Sequence, residues 1–294
     1  MTKQKLTEAK SAYLFLLPLI VGLGYFYFYA FIQNFYFSFT DLSSFGKPSL
    51  VGLENYKKLL TDEKFYLAFK NTLIYVLIGV PSVLIFSTLS AEFLNQNIKG
   101  NTFFRTALFI PAVTMPAAIG ILWRWLYNYQ FGIINVLLNR VGIESIAWLS
   151  NTNLVKGSIS IVLVWSMSAI YTIIILSGLQ GIPKSYYEAA EIDGANKFQI
   201  FFKVTLPLLT PTLFFVAVMT TIGIFQIFDL IFLMIQPTAL SLRYSMSMVY
   251  YFYDRAFVAF DKGYASAISI ILFLMILLIT VVQLKLQKKW VYEE

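Results

Sequence analysis

The stretch YYEAAEIDGANKFQIFFKVTLPLLTP occupies Tyr186 to Pro211 and separates two long apolar runs. Its first twelve positions hold Glu188, Glu191, Asp193 and Lys197, with Ala189, Ala190, Gly194 and Ala195 clustered among them. Ser185 and Glu188 have the Ser-x-x-Glu spacing of a capping box, which predicts a helix starting just after Pro183. Asp193-Gly194 then reads as a break. Asn196 and Gln199 are placed to cap a second helix that carries Phe198, Phe201 and Phe202, and Pro207 suits the turn into the next apolar run. A connector between two helices needs about five residues; this one uses over twenty. Two readings stay open on physical grounds. One is a passive loop. The other, which the length favours, is a docking element whose small residues seat closely in a partner's groove while its charges form a polar rim.

The rest of the chain says what lies on either side. Hydrophobic residues make up 59% of it and charged residues 13%, with a mean hydropathy of +0.72. Soluble domains are about half apolar and about a quarter charged, so the excess points to lipid as solvent. There is no Cys and no His, which removes disulfides, thiolate chemistry, imidazole metal ligands and a histidine proton relay. The net charge of +7 is read as lysines flanking membrane spans rather than as a nucleic-acid surface.

Charge-free windows locate the spans at 11–40, 71–91, 106–123, 157–183, 204–228 and 263–284, each near or above the roughly 20 residues that cross a bilayer. The first is about twice the apolar length of a signal peptide, so it is expected to be a helix that stays. The run 230–242 is short and broken by Pro237, and is taken as the end of the fifth span and an outer turn. The window 125–139, with Asn128, Gln130, Gly132 and Asn135, reads as a re-entrant or interfacial piece. Six spans put both termini on one face, but Lys and Arg divide eleven to eleven between the two faces, so the positive-inside rule leaves orientation open. Packing and kinks explain most of the prolines and glycines inside the spans, Pro111, Pro116 and Gly223 among them, and a moving pathway stays open as the other reading.

The order Glu188-Ala189-Ala190, Asp193-Gly194-Ala195, then Val204-Thr205-Leu206-Pro207 resembles the EAA motif of ABC importer permeases, EAA-x-x-x-G with a distant I-x-L-P; Val204 replaces the usual isoleucine. Gly52–Thr72, Phe109–Asn135, Lys262–Leu274, SAYLFLLPLI (Ser11–Ile20) and SFTDL (Ser38–Leu42) are similar to corresponding segments of the carbohydrate branch. In detail they look like the maltose-transporter type of first permease subunit without its large periplasmic insertion. One departure is the stretch LMIQPTALSLRYSM (Leu233–Met246), which keeps only Pro237 of a usual Gly-Gly-Pro and bears on the geometry of the outer gate.

The resemblance implies an all-α integral membrane protein of six transmembrane helices with the type I ABC importer permease fold. It implies a tail 1–10, a first helix and outer loop 11–70, a permease core 71–285 with the coupling segment 184–207, and a tail 286–294, both tails being cytoplasmic in a bacterial cell membrane. The implied function is the permease of an ATP-driven, binding-protein-dependent sugar importer. Implied partners are a second homologous permease, two cytosolic ABC ATPase subunits and an extracellular solute-binding protein. Glu188, Ala189, Ala190, Asp193, Gly194, Ala195, Leu206 and Pro207 would carry the coupling to the ATPase, Glu188 either by capping its helix or by pairing with the ATPase. No catalytic residue, metal or cofactor is expected, ATP being held by the partners, since the chain has no G-x-x-x-x-G-K-[ST] phosphate cradle.

Intramembrane polar groups are functional candidates by default. Gln226 and Asp229, three apart on one helical face, and Trp165 and Tyr171 in the fourth span are the candidate substrate contacts. Arg124, between Trp123 and Trp125, is read as a snorkelling interface anchor. An ion-coupled secondary transporter is the alternative. It would want several intramembrane acids and in many folds an inverted repeat; Asp229 is the single clear acid and no repeat is visible.

Overall fold

A computed structural model describes residues 3–43, 47–96 and 99–290. Residues 1–2 and 291–294, the extremities of the two expected tails, lie outside the described residues. In chain order the helices are α1 (Lys3–Leu23), α2 (Ala30–Phe37), α3 (Glu54–Leu59), α4 (Glu63–Asn95), α5 (Asn101–Val113), α6 (Pro116–Leu126), α7 (Ile133–Arg140) and α8 (Val155–Gly181). They continue with α9 (Lys184–Ile192), α10 (Lys197–Ile200), α11 (Leu206–Leu208), α12 (Thr210–Phe225), α13 (Asp229–Met234), α14 (Leu240–Ser245), α15 (Met248–Tyr253) and α16 (Lys262–Trp290). Wider π turns occupy Gly24–Tyr29, Phe201–Thr205 and Asp254–Val258. Among the described residues there is no strand, only two isolated bridges. The chain forms two compact units, one from Met1–Asp62 and Phe252–Phe273, the other from Glu63–Tyr251 and Leu274–Glu294.

In the first unit, α1 and α2 run through a π turn as a 25-residue apolar rod, Tyr13–Phe37. Its large side chains face outward, Phe15 being 84% exposed, as suits a helix solvated by lipid. The chain after α2 is held by the buried Asn55, which donates to the carbonyls of Ser38 (3.0 Å) and Thr40 (2.8 Å). Gly263 lies so close to the Thr40 carbonyl that a Cβ there would stand 2.0 Å from its oxygen. Lys58 pairs with Asp261 at 2.9 Å and lies 4.2 Å over the Tyr264 ring, whose hydroxyl donates to Asp62.

The second unit is built on α4 and α8, which pack along each other, with α12 against α4 and α6 against α13. The α8 sequence is apolar all round, as a helix buried on several sides must be. Small residues let the helices approach: a Cβ on Gly79 of α4 would come within 2.5 Å of Ile224 in α12, and one on Gly178 of α8 within 2.6 Å of Thr212. Tyr75, Ile159, Val162, Ile224 and Ile231 form the apolar centre.

The structure alters two of the expected spans. Four helices are long and apolar enough to cross a bilayer as they stand, Tyr13–Phe37, Glu63–Asn95, Val155–Gly181 and Lys262–Lys288; two further candidates are bent pairs. The expected window 106–123 is not one helix: α5 and α6 meet at 107°. The cause is local. Pro116 stands at the N-terminus of α6, and the residue before a proline is pushed out of the α region; Met115 (ψ 134°) and Thr114 (ψ 134°) are accordingly extended. The window 204–228 is likewise bent, by 66° between Lys197–Leu208 and Thr210–Phe225. Pro211 has no N–H for the carbonyl of Pro207, and the Thr210 hydroxyl donates to that carbonyl at 2.7 Å instead. The window 125–139 holds no span of its own: a turn follows Leu126, and α7 is a short helix.

Gly132 is the tightest point of that turn, where a Cβ would lie 2.4 Å from the backbone oxygens of both Leu126 and Asn128. No rotamer relieves such a clash, so Gly132→Ala is expected to destabilise the second unit by about 1–3 kcal/mol, as overpacking does. Gly157→Ala, where nothing stands within 4 Å, is expected to be neutral or stabilising by up to about 1 kcal/mol. Melting midpoints of the two variants in the same detergent check this; equal midpoints would refute the packing account of the turn.

Candidate functional site

The segment that opened the sequence reading folds as α9, a corner, α10 and a π turn. The expected Ser185–Glu188 capping box does not form. The helix starts two residues earlier than that pair requires, with Pro183 at the N-cap and no side-chain cap hydrogen bond. Proline has no side-chain acceptor to offer, and residues 184–186 are exposed, so their N–H groups can turn to solvent. Glu188 therefore does not cap its own helix; it is exposed.

Both ends of the corner are rigidly made. Gly194 has φ +78°, a left-handed conformation that favours glycine. The Ala195 N–H bonds the Ala190 carbonyl at 3.0 Å and the Gly194 N–H bonds the Glu191 carbonyl at 3.0 Å, which together close α9 with a Schellman motif. On the far side the expected box is present: the Asn196 side chain accepts from the Gln199 N–H and the Gln199 side chain accepts from the Asn196 N–H, both at 2.9 Å. Tyr187 turns inward, where its hydroxyl accepts from Thr205 at 3.5 Å. The outward face then consists of Glu188, Ala189 and Asp193 with Gly194 at its end, while Ala190, Ala195, Leu206 and Pro207 are half-buried. Ile192 shares the exposed surface at 86%. Sequence reasoning passed over it, although an isoleucine four residues after Glu188 in a charged helix was a signal.

The polar candidates within the membrane separate into two groups. Gln226 and Asp229 do not share one helical face, because α12 ends at Phe225 and α13 begins at Asp229, with Gln226 as the cap between them. They nonetheless line one cavity of about 470 Å³, together with Thr114, Pro116, Ser166 and Met167. This cavity thus lies where two helix breaks, α5 to α6 and α12 to α13, face each other. Trp165 and Tyr171 do not line it. Trp165 packs edge-on to Trp123 at 5.5 Å. Tyr171 is buried beside Val83, Ile175 and Leu179. Missed in the sequence were Thr114 and Pro116; the signal was Pro111 and Pro116 within one span.

A second, smaller cavity of about 340 Å³ is lined by Arg124, Tyr127, Trp148, Gln236 and Ser241 among others. Its wall is organised by Asn135, a residue expected only as part of an interfacial piece. Only 1% exposed, Asn135 donates to the carbonyls of Tyr129 (3.2 Å) and Ile146 (3.0 Å) and accepts from the Trp148 indole (3.0 Å). Trp148 stacks on Tyr127 at 5.3 Å. Burial pushes the Tyr127 phenol up to about 12, so it stays protonated.

Comparison with known proteins identifies the architecture. The family described as "Binding-protein-dependent transport system inner membrane component" matches residues 65–292. The chain is 35% identical over 292 residues to the multiple sugar-binding transport system permease protein MsmF of Streptococcus mutans, covering 99% of each. It is 32% identical over 285 residues to the trehalose/maltose transport system permease protein MalF of Thermococcus litoralis, covering 97% of this chain and 96% of that protein. It is 37% identical over 287 residues to the probable ABC transporter permease protein YesP of Bacillus subtilis, covering 97% of this chain and 92% of that protein. Among solved structures, a bacterial ABC transporter involved in the import of alginate superposes with a TM-score of 0.85 at 22% identity, over 97% of this chain and 98% of that one. The chain belongs to the family of binding-protein-dependent transport system inner membrane components: it is a multi-pass permease subunit of an ABC importer, not an enzyme, and not an ion-coupled secondary transporter.

Proposed function

We propose that the chain forms half of the translocation pathway of a sugar importer in a bacterial cytoplasmic membrane, paired with a second, homologous permease, supplied by an extracellular solute-binding protein and driven by two cytosolic ATPase subunits that dock on α9. ATP belongs to those partners and the chain holds no cofactor of its own. In this reading α9, α10 and both termini are cytoplasmic. The sugar cargo is supported by the names of the relatives, which carry trehalose, maltose and multiple sugars.

The observation that carries the reading is the build of α9. A helix that transmits force must move as one body. This one is closed by a Schellman motif, followed at once by a capping box, and anchored inward by Tyr187, while Glu188, Ala189 and Ile192 stay uncovered. Small exposed residues allow close seating, and Glu188, free of a capping role, is left to pair with a basic group of the ATPase. Closure of the ATPase dimer then shifts the permease population only through contacts that differ between its two states. The cavity between the two helix breaks supplies hydrogen-bonding groups, Gln226, Asp229 and Ser166, to a sugar on its way through.

Two outcomes are expected. In a gentle detergent pull-down the wild-type chain brings down an ATPase and a second permease. Ala189→Trp, and Glu188→Lys with Gly194→Trp, lose the ATPase and keep the permease. The single variant is placed on an exposed helical position so that its melting midpoint is unchanged; retention of the ATPase by both variants would sink the docking role of α9.

In uptake assays on cells carrying the chain as their only copy, Asp229→Asn is expected to lower sugar transport by roughly tenfold or more and Gln226→Ala by roughly threefold to tenfold. These are the sizes of a charged and a neutral hydrogen bond. Tyr171→Phe, in the apolar core, is expected to leave uptake unchanged. A Tyr171→Phe loss larger than that of Asp229→Asn would move the pathway away from this cavity.

A further inference from the structure

The 340 Å³ cavity is not used by the pathway argued above, and its lining has a definite chemistry. It is formed by the end of α6, the turn after it, segment 147–150 and residues 234–241. By the alternation of spans these all lie on the face opposite α9, which is the outer face in the proposed importer. Arg124 is its only charged lining residue, and there is no carboxylate among them. No ion pair or hydrogen bond holds the Arg124 side chain among the described residues. Asn128, Gln130 and Gln236 add amides, and Trp148 stacked on Tyr127 adds aromatic surface. Ser241, only 1% exposed, also lines the cavity, and its hydroxyl is buried without a hydrogen-bond partner. A buried hydroxyl is ordinarily satisfied, so an unsatisfied one against a cavity points to a group that comes and goes.

We propose that this outer cavity is a binding subsite for a sugar residue that carries a carboxylate, a uronate. Arg124 pairs with the carboxylate, for which a guanidinium supplies two parallel donors. The amides and the Ser241 hydroxyl take ring hydroxyls, and the aromatic wall takes the apolar face of the ring. Asn135 holds that wall in place through the Trp148 indole. The size suits one sugar residue, being at the lower end of small-molecule sites, about 300–1,000 Å³. A neutral sugar would leave Arg124 without a partner, so the subsite distinguishes acidic from neutral cargo before the central cavity is reached. Arg124 is exposed in the last turn of α6, where the expected snorkelling anchor would also sit, and this role is added to that one.

The inference rests on the importer reading for which side faces the solute-binding protein, and the test keeps the two apart. Full-length chain in lipid nanodiscs is dialysed to equilibrium against radiolabelled galacturonate or galactose, which share a ring and differ at the terminal carbon. Galacturonate is expected to bind roughly tenfold or more tighter than galactose, the scale of a hydrogen bond to a charged group, and the preference is expected to weaken as salt is raised. Arg124→Gln is expected to abolish the preference, Arg124→Lys to keep part of it, and Ser241→Ala to lower retention a few-fold. Gly157→Ala, at a position that lines neither cavity, is expected to change none of this. Melting midpoints equal to wild type show that the variants are folded.

Equal binding of the two sugars, no retention of either, or galacturonate retention that survives Arg124→Gln overturns the proposal. Competition by acetate as effective as by galacturonate also overturns it, since the site would then read a bare carboxylate such as an acidic side chain of a partner. ATPase co-purification is scored on the same preparation. Uronate binding without an ATPase removes the importer reading alone; an ATPase without uronate binding removes the subsite alone.

Discussion

A backbone amide or carbonyl that leaves its helix inside a membrane has no water to turn to, and each one left unsatisfied costs several kcal/mol, on the order of the penalty for burying a bare polar group. The second unit is arranged around that constraint. Its helices are interrupted after Val113, Leu208 and Phe225, and irregular backbone runs on from α13 to α15. Each interruption is met by a side chain from within the same unit, beginning with the Thr114 hydroxyl, which donates to the Ile110 carbonyl at 2.7 Å. Thr210 serves the carbonyl that Pro211 frees, and Ser247 donates to the carbonyl of Ile227. From α4, Asn71, Thr72 and Tyr75 reach the backbone at Met246 (3.1 Å), Met248 (3.0 Å) and Ser245 (2.9 Å). These residues look like stray polar groups in an apolar span; they are the hydrogen-bond partners that let the span beside them be broken.

The breaks decide where function can sit. A continuous helix presents only side chains to a pathway, whereas a break adds free backbone and turns consecutive residues in new directions. The cavity holding Gln226 and Asp229 lies where two such breaks face each other. The corner at Gly194 does the same beyond the C-terminus of α8, letting α9 project as a short body clamped at both ends instead of continuing as a longer, more compliant helix.

The same view explains why counting charges could not orient the chain. Several cations of the face opposite α9 are structural and are engaged locally. In the first unit Lys58 bonds Asp261 and covers Tyr264. In the second, Lys156 donates to Asn71 at 3.3 Å and Arg243 stands 3.7 Å from Glu63. The positive-inside rule concerns loop charge during insertion, and residues placed to hold packed helix ends add to the count without following it. Arg124 has no protein partner among the described residues and stands against a cavity.

Hydropathy by itself determined that the chain is helical and lipid-solvated, because apolar length is a one-dimensional quantity read directly from residue order. Local chemistry was equally legible at the corner: Gly194 in its left-handed conformation and the Asn196–Gln199 box depend on residues within a few positions of each other. What only the tertiary structure decided is which polar groups share a space. Gln226 and Asp229 were paired in sequence on the assumption of an unbroken helix and turned out to meet across a break, while Trp165 and Tyr171 went to packing contacts that nothing in their own segment specifies. Thr114, Trp148 and Ser241 came to line cavities through neighbours tens of residues away. A proline reveals that a helix can bend, but the direction of the bend, and so the contents of the space it opens, follow from which neighbouring helix supplies the missing hydrogen bonds.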